Sequence, residues 1–478
     1  MSTRVAAVAP RAVTLDRRTV WRWHFYAGLL CVPIVVLLSL TGAVYLFKPE
    51  VDAWQERAFD GLRVEAGAPV ASADAQVRAA MAHLPGATLA FYELPAAMGA
   101  AARVVLQRAD GERVRVFVHP GTAAVLGSID EDARISQFVK TVHGELLLGE
   151  PGSWVVELAA CWAIVMILTG LWLWWPAQSQ GGAGVWWPRI GRGGRVFWRD
   201  VHAVTGVWVS VFALFLLLTG LPWATVWGAA FKEVRTLTGT AAERQDWSNS
   251  RAGERAVNLA DAQRSVPVPA GDEHAEHMGH GAAPDASNVA ALAGVPLQHI
   301  VDQLRPLDLA APVQVSRARD GGWEAQSMTQ NRPLRVTLRF AADDGRLVRR
   351  EDFADRHVID RAVGIGVAAH EGHLFGRANQ LLGLATALAL VTLCVSSMVL
   401  WWTRRPAGQL GAPPLPAIAV RPPWAVVVLL GVTLPVLGLS LLVVVAIDRL
   451  LPRVSPSVAR WLGFAPGDQR PSAASATA

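Results

Sequence analysis

Charge is what this sequence has least of: Asp, Glu, Lys and Arg together make 17% of its 478 residues, against 52% hydrophobic. A set of soluble domains would carry about a quarter charged residues, so the shortage, with a positive mean hydropathy, excludes that class. Cysteine is nearly absent too. Cys31, Cys161 and Cys394 lie singly inside apolar runs, with no CxxC or CxxCH; this excludes a disulfide framework and covalent c-type haem and leaves small buried hydrophobes. There is no GxGxxG fingerprint, no GxxxxGK[ST] loop and no cytoplasmic segment large enough for a flavin domain, so no bound flavin or nicotinamide is expected. HEGH at 370–373 lacks the four-residue histidine spacing of a zincin, which excludes that protease reading. No nucleic-acid partner is expected.

What is present in quantity is apolar sequence in lengths that cross a bilayer, about twenty residues each. Such windows fall near 24–47, 153–175, 203–228, 379–402 and 424–447. Short cytoplasmic loops retain arginine, and Arg17, Arg18 and Arg22 precede the first span, Arg189, Arg192, Arg195 and Arg199 separate the second and third, and Arg404, Arg405 and Arg421 the fourth and fifth. The long polar intervals then lie outside, in the periplasm of a bacterium, with the chain in the inner (cytoplasmic) membrane. The first run is too long for a signal peptide and ends in LFKPE, so it reads as an uncleaved anchor. A fifth span with Pro435 inside it would carry the C-terminus outside, against which Arg449, Arg453, Arg460 and Arg470 argue.

Two internal matches organise the chain. His24 and His202 each have a glycine four residues on (Gly28, Gly206) and a Thr-Gly pair seventeen on (Thr41-Gly42, Thr219-Gly220). His143 and His370 each have a glycine six on (Gly149, Gly376) and a tryptophan thirty-two on (Trp175, Trp402). The fold class expected is an α-helical integral membrane protein, a duplicated helix-pair bundle plus a fifth helix, with two small α+β external domains. In order these are a disordered N-terminus (1–20), span one (21–47), an external domain (48–142), an interfacial segment with span two (143–176), a loop (177–198), span three (199–228), a second external domain (229–369), an interfacial segment with span four (370–403), a loop (404–423), span five (424–447) and a tail (448–478). SADAQVRAAMAHL and PLQHIVDQLRPL have helical spacing, while ARVVLQR, RVRVFVH, PVQVSRA and PLRVTLRF alternate like strands. The second external domain is longer by a mobile insertion, 240–290. Pro151 and Gly152 are expected to break a helix arriving from His143.

Ionisable groups in spans are costly and usually functional. Topology sets His24 and His202 at one depth near the cytoplasmic face and His143 and His370 at another near the outer face. Two imidazoles facing across a bundle can fill both axial positions of one haem iron, with Gly28 and Gly206 allowing close approach. Four on two levels make two b-type haems, an electron path with no open position for oxygen or substrate. A lone interfacial histidine ordinarily does no more than bond a carbonyl; the fourfold match argues for more. His373 is an alternative ligand to His370. His274, His277 and His280 with Met278 form an external cluster able to take copper, zinc or nickel. Glu157, inside span two, is expected to be satisfied by a neighbouring helix. Electrons would come from a quinol or a separate cytoplasmic reductase.

The His-x3-Gly to Thr-Gly pattern and its copy, with HEGHLFG and HGELLLG, resemble the PepSY-associated transmembrane proteins, also called iron-regulated membrane proteins. FVHPGTAAVLG and LRFAADDGRLV resemble the end of a PepSY domain. The resemblance spans about 20–405 and implies a di-haem inner-membrane reductase of ferric siderophores, with His24, His143, His202 and His370 as ligands and a periplasmic ferric chelate as acceptor. HGELLLG lacks the family's phenylalanine, and the histidine-bearing insertion and fifth span are additions. Two other readings belong to different classes: a non-enzymatic membrane protein whose external domains bind or restrain a periplasmic partner, and a copper-related reductase or metal-handling protein. A metal permease would want polar residues in mid-span, and these spans offer almost none.

Overall fold

The computed structural model describes residues 16–62, 69–97, 99–175, 182–240, 255, 257–259, 294–414 and 424–464. Five of its helices are long and apolar enough to cross a membrane: α1 (Arg17–Tyr45), α5 (Glu150–Trp174), α6 (Gly194–Gly220, continued by a 3₁₀ turn to Trp223), α10 (Arg377–Arg404) and α12 (Pro435–Val454). Only helices satisfy every backbone group of a segment without water, which is why uncharged runs of this length adopt that form. The protein is membrane-embedded. The expected disordered start is corrected at its end, because α1 is already helical from Arg17.

The chain divides into two compact units. One comprises Met1–Ser39, Trp154–Leu221 and Thr386–Ala478. Its last part departs from the expected straight span at 424–447. A helix α11 (Trp424–Thr433) stops before Pro435, whose missing N–H and ring cannot continue it, and α12 starts on the other side of Leu434. The two turn back on each other so tightly that a Cβ on Gly438 would lie 2.6 Å from the Gly431 carbonyl oxygen. A short helix α13 (Pro456–Leu462) then returns to the end of α1 that carries Arg22. There Tyr26 donates to the Leu462 carbonyl at 2.6 Å, Arg22 to the Gly463 carbonyl at 2.8 Å, and the Leu410 amide to the Trp461 carbonyl at 3.2 Å. The break at Pro435 thus brings Arg460 to the Arg22 end.

The other unit comprises Leu40–Ser153 and Pro222–Ala385. Its centre is one antiparallel eight-stranded sheet in the order β4-β3-β2-β1-β5-β6-β7-β8. The strands are β1 (Thr88–Glu93), β2 (Ala102–Gln107), β3 (Arg113–Val118), β4 (Val125–Asp130), β5 (Val313–Arg317), β6 (Trp323–Ser327), β7 (Val336–Phe340) and β8 (Leu347–Asp352). Two separate external domains were expected; instead β1 pairs with β5 (Tyr92 opposite Val315, Glu93 opposite Gln314), merging both strand sets. Hairpins turn at Gly111, Gly321 and Gly345, all with φ between +72° and +84°, where an L side chain is strained.

One sheet face is covered by α3 (Ala73–His83) and α8 (Leu297–Leu304), and the core between them includes Val77, Leu106, Val116, Ile300, Leu338 and Phe340. Trp323 is fully buried there, its indole N–H donating to the Val295 carbonyl at 2.9 Å. Each helix caps the other. The Asp74 carboxylate accepts from the first amides of α8, Leu297 and Gln298, both at 2.9 Å, and the Gln298 side chain accepts from the Ala73 amide at 2.7 Å.

Candidate functional site

The expected site residues fall in both units. His24 lies in α1 and His202 in α6, and the fold of the first unit sets their rings with centroids 6.3 Å apart and planes crossed at 81°. Each ring is held from behind by a neighbouring helix. The His24 Nδ1 is 3.1 Å from the Met166 carbonyl and 3.1 Å from the Thr169 hydroxyl of α5. The His202 Nδ1 is 3.3 Å from the Leu393 carbonyl and 3.2 Å from the Ser396 hydroxyl of α10. A carbonyl can only accept, so the ring hydrogen sits on Nδ1 in both, which leaves each Nε2 with a free lone pair. A metal–imidazole bond is about 2 Å, which sets ring centres on either side of one metal about 6 Å apart. The observed spacing fits that requirement.

Glycines close the pocket around His24. A Cβ on Gly170 would lie 3.0 Å from its Cε1, whereas Cβ atoms on Gly28 and Gly206 would make only ordinary contacts, at 3.7 Å to Met166 and 3.6 Å to Leu393. The glycine whose Cβ would crowd the His24 ring is thus Gly170. The partners Thr169 and Ser396 were not singled out from sequence. The signal was available: Thr169 stands twenty-six residues after His143, and Ser396 twenty-six after His370.

Just ahead of His202, Asp200 is fully buried and held by Arg189 through two contacts of 2.6 and 2.8 Å and by Arg199 at 2.9 Å. This carboxylate ties the loop before α6 to the helix that carries the histidine.

The second unit holds His143 and His370. His143 lies in the last turn of α4 (Ile135–Glu145), its Nδ1 2.9 Å from the Thr41 hydroxyl, and a Cβ on Gly42 would lie 3.3 Å from its Cε1. The Thr-Gly pair noted in sequence thus forms one wall of this histidine's site. His370 is the last residue of α9 (Val358–His370). The glycine six residues after each has a positive φ, +65° at Gly149 and +59° at Gly376, and each stands immediately before the next helix. The break after His143 comes at Leu146–Gly149, not at Pro151 and Gly152 as expected. Those two lie in the first turn of α5, and a Cβ on Gly152 would overlap the Glu145 carbonyl oxygen.

His373 lies past α9; its Nε2 is buried without a hydrogen-bond partner among the described residues, and burial holds its pKa below the ordinary histidine value. Glu157 is 2% exposed within α5. His274, His277, His280 and Met278 lie outside the described residues, as does most of the 240–290 insertion. Among the described residues no three His, Cys, Asp or Glu side chains cluster as a metal site.

Ionic ties link α4 and α9 to their neighbours within the second unit. On α2 (Lys48–Glu56), Asp52 accepts from Ser136 of α4 at 2.5 Å and pairs with Arg134 at 2.9 Å. Glu56 bonds Arg103 at 2.8 Å, and Glu131 bonds Arg115 at 2.5 Å. Burial would raise the Asp52 and Glu131 carboxyls, but Lys48 and Arg134 around the first, and Arg115 and Arg134 around the second, hold both below their ordinary values. On α7 (Thr225–Leu237), Arg235 is 1% exposed and grips Asp360 of α9 through two contacts of 2.7 and 2.9 Å.

Among known proteins, the family model described as the PepSY-associated TM region matches residues 21–404, most of the chain. No protein of curated function matches it. The chain belongs to the PepSY-associated transmembrane family.

Proposed function

From that membership, we propose that the chain is a di-haem b electron-transfer protein of the bacterial inner membrane that reduces a periplasmic acceptor, chelated ferric iron first and cupric ion second. The observation that carries the reading is the His24–His202 pair: two imidazoles with centroids 6.3 Å apart and planes crossed at 81°, each with its hydrogen committed to Nδ1 by a carbonyl acceptor. Two histidines are too few ligands for most bare transition-metal ions, whereas a haem brings four nitrogens of its own. Bound haem would supply a one-electron centre. The protein's part is to hold His24 and His202 as one axial pair and His143 and His370 as the other, to keep them neutral, and to exclude water with the surrounding apolar helices. The equal spacings of both histidine pairs, and of the carbonyl and hydroxyl behind each inner one, support a duplicated helix pair in which duplication supplies the second axial ligand. Arg17, Arg18, Arg22 and Arg460 share one end of their unit, which supports a cytoplasmic location for that end and for α13. The donor is a quinol or a separate cytoplasmic reductase.

Purified full-length protein is expected to show a Soret band that shifts on adding dithionite. His24→Ala and His202→Ala should each remove the same haem, about half the Soret intensity, and the double variant no more than either. Colourless protein from haem-replete cells sinks the reading; loss of both haems from the double variant shows the ligands wrongly paired. The second reading, a non-enzymatic protein whose sheet binds a periplasmic partner, is favoured by the half-exposed polar residues on one face of β5–β7. It requires protein without pigment.

A further inference from the structure

We propose that Thr169 and Ser396 are positioning residues for the inner histidines, fixing ring orientation and ligand strength from a neighbouring helix; this rests on the haem reading above. The geometry is the same twice. Behind each ring stands a carbonyl, and three residues further along the same helix a hydroxyl, so both acceptors flank a single Nδ1–H. The hydroxyl protons are already committed: Thr169 donates to the Val165 carbonyl at 2.8 Å and Ser396 to the Leu393 carbonyl at 3.0 Å. Their oxygen lone pairs are therefore available to the imidazole.

A carbonyl alone would let the ring pivot about one hydrogen bond. A second acceptor one helical turn away opposes that pivot and holds the ring plane, and with it the 81° crossing of the pair. Acceptors on Nδ1–H also make Nε2 a more basic ligand, which favours the oxidised metal; loss of such partners typically weakens metal binding about 10–100-fold. The positions differ chemically in one way. At 169 the hydroxyl sits on a β-branched side chain with few rotamers, while the Ser396 side chain is freer. Thr169 should therefore hold its ring more firmly.

Thr169→Val keeps the shape and removes the acceptor; Ser396→Ala does the same on the other helix. In full-length protein in detergent, spectra recorded during a redox titration should show one haem moving to more positive potential in each variant while the other stays at its wild-type value. Low-temperature electron paramagnetic resonance should show the strongly anisotropic low-spin signal of crossed imidazoles in wild type, and a less anisotropic one in Thr169→Val. Haem retention on dilution should fall about 10-fold or more. Thr169→Ser, which returns the hydroxyl, should restore all three. Two haems with unaltered potentials and resonance signals in both variants overturn the positioning role alone. Wild-type protein without haem overturns the reading on which it rests.

Discussion

The first half of the chain ties α2 to the His143 helix with a carboxylate on α2 and an arginine beyond it, Asp52 and Arg134; the second ties α7 to the His370 helix with the charges exchanged, Arg235 and Asp360. The surroundings differ more than the pairs. Arg134 also reaches Glu56 and Glu131, inside a network that extends to Arg103 and Arg115 on the second face of β1–β4. Phe59 stacks on Phe117 at 4.0 Å on that same face. Across β5–β7 the corresponding positions, Gln314, Ser316, Glu324, Gln326, Thr337 and Arg339, are only half-buried. Similar strands thus end with one half sealed by ions and the other open. A charge shared among several partners tolerates the loss of one; a buried charge such as Arg235, with a single carboxylate partner among the described residues, does not.

The largest expected effect follows from that contrast. Asp360→Ala removes the one carboxylate that pairs with Arg235 among the described residues, leaving this 1% exposed guanidinium the Thr240 carbonyl, and should cost about 3–5 kcal/mol, seen as a lower unfolding midpoint of the full chain in detergent. Asp52→Ala leaves Arg134 with Glu56 and Glu131 and should cost about 1–2 kcal/mol. Exchanging Arg235 and Asp360 for each other should recover part of the loss. Equal costs for the two aspartate variants would break the comparison.

Acid sharpens it. Asp52 and Glu131 have carboxyls held below their ordinary values of 3.8 and 4.5, so their contribution is complete above about pH 4.5 and is lost as pH falls through the lowered values. Thermal midpoints measured from pH 6 down to pH 3 should fall most steeply below about 4.5, and Glu131→Gln should flatten that fall. An unchanged profile in Glu131→Gln would remove the network as its cause.

The smallest effect contrasts Gly170 with Ser397, each one residue after an inner hydroxyl. Gly170→Ala places a methyl 3.0 Å from the His24 ring and should cost about 1 kcal/mol and disturb the spectrum. Ser397→Ala removes only a hydroxyl bonded at 2.8 Å to the Cys394 carbonyl of its own helix and should change neither. A silent Gly170→Ala would show that α5 gives way there.

Much of this protein was legible because the relevant forces act locally. Uncharged runs become membrane helices wherever they sit, alternation makes strands, and a glycine six residues after His143 or His370 marks a left-handed turn that few other residues adopt. His24 and His202 could be paired from the sequence because each stands at the same spacing ahead of a glycine and a Thr-Gly pair. Sequence could not reveal what lies beside them. Thr169 and Ser396 acquire a role only when α5 and α10 pack against α1 and α6, a matter of helix rotation that spacing alone leaves open. Nor could it show that β1 meets β5 across more than two hundred residues, since strand edges pair with whatever edge folding brings near. At Pro435 the break itself was local and readable. The reversal that follows, bringing α13 back to Arg22, was decided by packing, because a broken helix can bend either way and only its neighbours choose.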